Sequence, residues 1–295
     1  MNTNYADWLR RQGESVYRSA GIDWRLYHSA LVPANDVPVP LTADRGELRR
    51  LLRQSGAWLA RYPGPAVDRP DAGWYYVVCD RVVPVERLAK RTRYELRLGL
   101  RSCSVRRVTA EWIAAHGYEC YRAAHERYRN VRPSPETIFV KEMRARAEGP
   151  FEIWGAFVDA ELAAYSTCIV AGEWVQHSTA KYHPGFLRAR TAYALVRTLI
   201  EDYVGARGLA LVNGTRSVSH DTNYNCLLEK LGFVHRGCEL NIVYRPALEA
   251  LVNLAWPLRR VFSWLPDSGP AHGARVALML EGLRRTAAPL GGAQA

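Results

Sequence analysis

Apolar and polar positions repeat along this chain with two periods, and the switches between them mark its elements. Residues 188–204 carry the clearest helical stripe. Ala192, Leu195, Val196, Leu199, Ile200, Tyr203 and Val204 fall on one face, and Gly205 or Gly208 ends the run. Residues 74–80, 151–158, 161–170 and 173–181 read as strands. The last three are joined by tight turns at Asp159-Ala160 and Ala171-Gly172. Residues 209–212 form a short apolar strand, followed by a polar loop at 213–223 and a helix that Asp221 or Thr222 can cap and Gly232 can end.

The same reading predicts an amphipathic helix over residues 1–20, packed through Trp8, Leu9, Val16 and Tyr17, and a strand ending at Pro33. A helix over about residues 44–62 follows, with Thr42 or Asp44 as cap and Glu47 completing a capping box. Residues 63–73 are a loop, 87–101 a basic helix, 104–108 a strand and 111–129 a helix. Ser134 is placed to cap a helix over 135–147, and residues 233–244 supply the last strands. A strand, a polar crevice loop and a capped helix in succession are where open α/β sheets keep their ligands.

Composition narrows the class. The chain has 295 residues, 48% hydrophobic and 23% charged, as an ordinary globular protein does, and it is long enough for one large or two smaller domains. Its net charge is +11, and all but four of its 40 basic residues are arginine. That balance favours polyanionic partners such as RNA, anionic lipid or a phosphorylated substrate; arginine-rich coding would produce it equally well. The six cysteines have no C-x-x-C spacing, so they read as reduced and structural, and no metal site is expected. The first residues lack an apolar leader core, and no run of about 18 apolar residues occurs, so a cytoplasmic chain without a membrane span is expected.

Leu227-Leu228-Glu229-Lys230-Leu231-Gly232-Phe233 resembles the LYEKLGF signature of the GNAT acyltransferase superfamily. The predicted order from residue 110 on (helix, helix, three antiparallel strands, helix, strand, helix, strand) is the GNAT order. Residues 88–108 resemble in spacing and type a segment of the Fem-type aminoacyl transferases, which join two GNAT-like units and move amino acids from aminoacyl-tRNA onto peptidoglycan precursors. The resemblance implies an α/β (α+β) GNAT fold, a central mixed and mostly antiparallel sheet flanked by helices, in a reduced tandem of two GNAT-like units. It implies a reduced first unit at 1–108, a complete unit at 109–246 and a helical tail at 247–295. Within that tail the apolar, aromatic and basic stretch 247–265 either lies on a membrane surface or packs across its own domain.

The function so implied is transfer of an acyl or aminoacyl group to an amine, with no permanently bound cofactor and with aminoacyl-tRNA or acyl-CoA as donor. An acyl-CoA-dependent N-acyltransferase, or an inactive fold binding nucleic acid or a membrane surface, are the rival readings. Two departures from the GNAT pattern matter. Leu228 stands where many acetyl-CoA enzymes have a tyrosine acid; Tyr224, one turn earlier, either replaces it or packs in the core. The glycine pattern that holds the CoA pyrophosphate is also absent after the fourth strand, where Lys181, His183, Arg188 and Arg190 stand instead. These four, with Arg216 and Asn223, are the candidate donor or substrate contacts. His220, Tyr224 and His177 are the candidate catalytic groups, because acyl transfer needs a base for the amine and an acid for the leaving group. Lys90, Arg93 and Arg97 share a helix face that is either a solvated surface or a phosphate- or tRNA-contacting ridge.

Overall fold

A computed structural model describes residues 4–68, 73–126, 132–215, 224–259 and 270–287. In chain order the first elements are α1 (Tyr5–Arg11), β1 (Val16–Ser19), β2 (Ile22–Tyr27), β3 (Ala30–Pro33), α2 (Arg45–Ser55), β4 (Leu59–Ala66) and β5 (Tyr75–Cys79). Then come α3 (Lys90–Ser102), β6 (Ser104–Val108), α4 (Ala110–His116), α5 (Tyr118–His125), α6 (Glu136–Arg146), β7 (Phe151–Val158), β8 (Glu161–Ala171) and β9 (Trp174–Tyr182). The chain continues with α7 (Thr191–Leu199), β10 (Ala210–Thr215), α8 (Tyr224–Lys230), β11 (Val234–Tyr244), α9 (Pro246–Ala255) and α10 (Pro270–Ala287).

These elements form two compact units that interleave along the sequence. One comprises the described parts of residues 1–8, 77–214 and 223–234. Its strands run in the order β5 (through Val77 to Cys79), β10, β9, β8, β7, β6. β6 to β9 are antiparallel, and β10 joins β9 in parallel. On one face α4, α5 and α6 bury Ile113, Cys120, Phe139 and Met143 against Ile153 and Tyr165 of the sheet. The other unit comprises the described parts of 9–76, 215–222 and 235–295, with strand order β1, β2, β3, β4, β11. There Trp24, Leu31, Leu48, Leu52 and Val243 form the core under α2. Each sheet is mixed and mostly antiparallel, with helices packed on it, as expected.

Several local expectations hold for the stated reason. Asp44 caps α2, accepting from the Glu47 amide at 2.7 Å, and Gly56 ends it at φ 76°; the Glu47 carboxylate, expected to complete a capping box, accepts from the Ser19 hydroxyl instead. The Asp159-Ala160 turn has φ 48° and 68°, the left-handed pair a two-residue hairpin requires. Gly232 stops α8 at φ 109° with Val83 against its Cα, a position no side chain could share. The Asp221 or Thr222 cap lies outside the described residues.

Others are corrected. The helix expected over 1–20 ends at Arg11; after Gly13 (φ 80°) residues Val16–Ser19 form β1. The strand expected through Pro33 is a hairpin, turned by His28 and Ser29 at positive φ. Residues 59–66, expected as a helix end and loop, are strand β4. Pro63 is in register with Leu240 of β11, but its carbonyl turns to the other edge, where it accepts from the Leu41 amide at 3.0 Å; there the ladder with β3 pairs only Leu59 and Ala60, so no strand needs the missing N–H. Gly117 splits the helix expected over 111–129 into α4 and α5. Ser134 does not cap α6: its amide donates to the Tyr121 hydroxyl at 3.1 Å and its carbonyl accepts from Tyr118 at 3.2 Å. α7 runs on as a π-helical stretch, Ile200–Ala206, before Gly208 (φ 67°) ends it.

α9 exposes Leu251 and Leu254, and the 3-10 turn after it exposes Leu258, in the segment expected either to meet a membrane or to pack on its own domain, while Val252 is buried. Among the described residues no helix is long and apolar enough to cross a membrane.

α3 and α7 approach unusually closely at Gly99, where a Cβ would lie 2.8 Å from the Arg190 carbonyl oxygen and 3.2 Å from the Ala194 amide. Gly99→Val should therefore destabilise the unit by about 1 to 3 kcal/mol, as overpacked sites do. Chemical denaturation checks this, and an unchanged midpoint would contradict the close approach.

Candidate functional site

The first unit opens between β9 and β10. Their parallel ladder pairs only Ala210 with Trp174, Leu211 with Val175 and Val212 with Gln176. Both strands continue, to Tyr182 and Thr215, without further pairing. The divergence begins beside a bulge in β9: His177 faces Cys168 and Thr179 faces Thr167, leaving Ser178 as the extra residue. A bulge bends its strand and re-aims the side chains beyond it.

His177 bridges the opening, its Nδ1 2.8 Å from Asn213 Oδ1 on β10. The amide oxygen accepts, so Nδ1 carries the proton and Nε2 presents its lone pair. Nε2 is buried and has no hydrogen-bond partner among the described residues. Burial lowers the imidazole pKa to about 4, against the opposing pull of the Asn213 bond. Across the opening the His177 ring lies 6.1 Å from the Tyr224 ring. The Tyr224 hydroxyl lies 3.0 Å from that of Tyr182. Burial, and then the neighbouring Tyr182, push the Tyr224 pKa well above its ordinary value, so the phenol keeps its proton. A neutral base and two linked phenols thus converge from β9 and α8. Leu228, by contrast, is wholly buried in the core.

A second concavity, of about 610 Å³, adjoins the start of α7 and is lined by Arg91, Glu95, Arg190, Thr191, Tyr193 and Lys230 among others. Arg190 occupies the N-cap of α7 at φ 57°. Its guanidinium pairs with the buried Glu95 carboxylate and donates to the Leu187 carbonyl at 3.2 Å. The Thr191 hydroxyl is buried there without a partner among the described residues. An arginine held in the left-handed region costs about 1 to 2 kcal/mol, which the ion pair and the carbonyl bond offset.

The other expected site residues fall in different places. His183 caps the 3-10 turn after β9, accepting from the Gly185 amide at 3.0 Å, and Arg188 is exposed. Lys181 lies on the opposite face of β9 from His177, beside His125 of α5. On α3, Lys90 and Arg97 are exposed, whereas Arg93 turns back to donate to the Glu86 carbonyl at 2.7 Å. Tyr94 (65% exposed) and Arg101 complete the outward stripe Lys90, Tyr94, Arg97, Arg101, which repeats at helical spacing. His220, Arg216 and Asn223 lie outside the described residues. Tyr182, Asn213, Thr191 and His125 were not expected. Tyr182 is five residues from His177, which strict alternation puts on the opposite face; only the bulge brings the two together.

No protein-family model and no curated protein matches the chain. Among solved structures it is similar to FemX, with a TM-score of 0.54 and 11% identity, over 84% of this chain and 92% of that one. It is also similar to the C-terminal DUF2156 domain of a lysylphosphatidylglycerol synthetase from Agrobacterium fabrum, with a TM-score of 0.50 and 14% identity, over 86% of this chain and 91% of that one. The fold is thus GNAT-like. More narrowly, that fold is the one shared with FemX and with this DUF2156 domain.

The His177 shift gives a pH test. The folded pKa lies below the ordinary value, so the unfolded chain binds the proton more readily. The contribution is complete above about pH 6.5 and is lost as pH falls from there toward 4. His177→Gln should remove on the order of 3 kcal/mol of this pH dependence. Denaturant titrations of both proteins across that window read it, and parallel curves would argue against a buried neutral imidazole.

Proposed function

We propose that the chain transfers an acyl group, and specifically an aminoacyl group carried on RNA, to an amine at the opening between β9 and β10. The observation that carries this reading is the start of α7. The glycines that would let a pyrophosphate reach the helix backbone are replaced by Arg190, itself engaged by Glu95. Beside this concavity the exposed stripe Lys90, Tyr94, Arg97 and Arg101 of α3 combines cations with an aromatic face, the pairing that suits phosphates and stacked bases. FemX and the lysylphosphatidylglycerol synthetase domain share the fold and add to the likeness.

In this reading the acceptor amine loses its proton to His177 Nε2, whose tautomer Asn213 fixes. Nitrogen attacks the ester carbonyl. As the tetrahedral adduct collapses, the departing ribose oxygen takes a proton from the Tyr224–Tyr182 hydroxyl pair. Burial keeps both groups in the required protonation states near neutral pH. Acyl-CoA is the second reading, favoured by the unpartnered Thr191 hydroxyl at the start of α7, which a phosphate oxygen could engage.

Binding of charged tRNA, uncharged tRNA and acetyl-CoA to the purified protein over a salt series separates these readings. Specific, salt-sensitive binding of the charged form is expected; tight acetyl-CoA binding indifferent to tRNA would overturn the preferred donor. Arg97→Glu with Arg101→Glu should weaken tRNA binding and reduce the salt slope by about 2, one per lost phosphate contact. Tyr224→Phe should lower kcat by about a hundredfold with donor binding retained, within the range for a lost proton donor.

A further inference from the structure

Lys181 and His125 form a second constellation, on the α4–α6 side of β9. His125, the last residue of α5, is buried. Its Nδ1 lies 2.7 Å from the Tyr121 carbonyl oxygen and therefore donates to it, leaving Nε2 as an acceptor. Nε2 is 3.4 Å from Lys181 Nζ. The Lys181 ammonium end also sits 5.6 Å from the centre of the Tyr121 ring. The Tyr121 ring packs on His125 at 4.3 Å, holding the imidazole in place. Nucleophile, base and orienting group thus stand in the order that activates a side-chain amine. Lys181 is part-exposed, so a small molecule can reach it; Lys90, Lys141 and Lys230, the other lysines of the chain, are exposed.

We propose that Lys181 is a nucleophilic lysine, an acylation site that takes acyl groups from small activated esters or thioesters with His125 as its base. The neutral ε-amine attacks the acyl carbon and the C–N bond forms. The amine's proton passes to His125 Nε2. The C–O or C–S bond then breaks, and the alcohol or thiol departs with that proton, which leaves His125 neutral again. The product is a neutral acyl-lysine amide, and no oxidant or further reactant is needed. Burial lowers the Lys181 pKa and so enlarges its neutral fraction. Among the described residues, the titratable groups packed about the pair include Cys120 and Tyr121 from α5 and Tyr165, opposite Lys181 on β8. Burial also holds His125 below its ordinary pKa, so it stays a base. This site lies across β9 from His177 and does not rest on the transfer reading.

The test is brief treatment of the intact protein with p-nitrophenyl acetate, with acetylation followed at each of the four lysines by peptide mass spectrometry. At about pH 7.5 Lys181 should acetylate about tenfold faster than the three exposed lysines, a modest share of what base assistance supplies. His125→Gln should bring Lys181 down to their rate and leave theirs unchanged, with the circular dichroism and denaturation midpoint of the variant showing that it is folded. Equal or slower labelling of Lys181 in the parent protein would overturn the proposal. So would an undiminished Lys181 rate in His125→Gln.

Discussion

One extra residue in β9 decides which side chains share a face in the first unit. Ser178 is passed over in the ladder with β8, so every side chain after it changes face. His177 and Tyr182 come to share one surface and Lys181 is sent to the other. Beside the bulge the ladder with β10 stops, and an opening forms that the His177–Asn213 bond spans. Two sets of titratable groups therefore sit back to back on a single strand, separated by the thickness of a sheet. Each has a histidine whose proton is fixed on the nitrogen facing a protein oxygen, a backbone carbonyl for His125 and a side-chain amide for His177.

Keeping such groups neutral inside the protein requires rigid surroundings. α3 and α7 supply part of that rigidity by packing backbone to backbone at Gly99. Leu228, wholly buried, anchors α8 and so steadies Tyr224 one turn away. Position 228 thus contributes packing, while the hydroxyl group comes from the preceding turn. The buried thiols belong to the packing as well: burial pushes Cys79 to about 11 and Cys120 and Cys168 to about 12, far from thiolate reactivity.

The fold was legible in the second half of the sequence because its elements are long and their periods clean. The stripe from Ala192 to Val204, the hairpin turn at Asp159-Ala160 and the stop at Gly232 each carry a local physical signal. The first half was harder. Val16–Ser19 is too short for its alternation to outweigh a nearby helical pattern, and β4 carries two prolines that read as loop until its neighbours are known. Of the candidate site, His177 and Tyr224 were found from their positions on the predicted strand and helix. Tyr182 and the Lys181–His125 pairing were not, since a bulge breaks the period-two rule without marking the sequence. Thr191 was missed for another reason: a hydroxyl is conspicuous only once burial leaves it without a partner.

The Arg190–Glu95 pair has a thermodynamic consequence. The cap of α7 already carries a carboxylate through its arginine, so the protein brings its own anion to the place where an incoming phosphate would settle. Occupation of that spot is then an exchange of one anion for another. Its equilibrium reflects the difference between two solvated acids, and the displaced Glu95 must find water or a new cation. Such a spot discriminates by the arrangement of a ligand's charges more than by their number. A monovalent ion would find it already satisfied, while an extended polyanion anchored elsewhere could complete the swap.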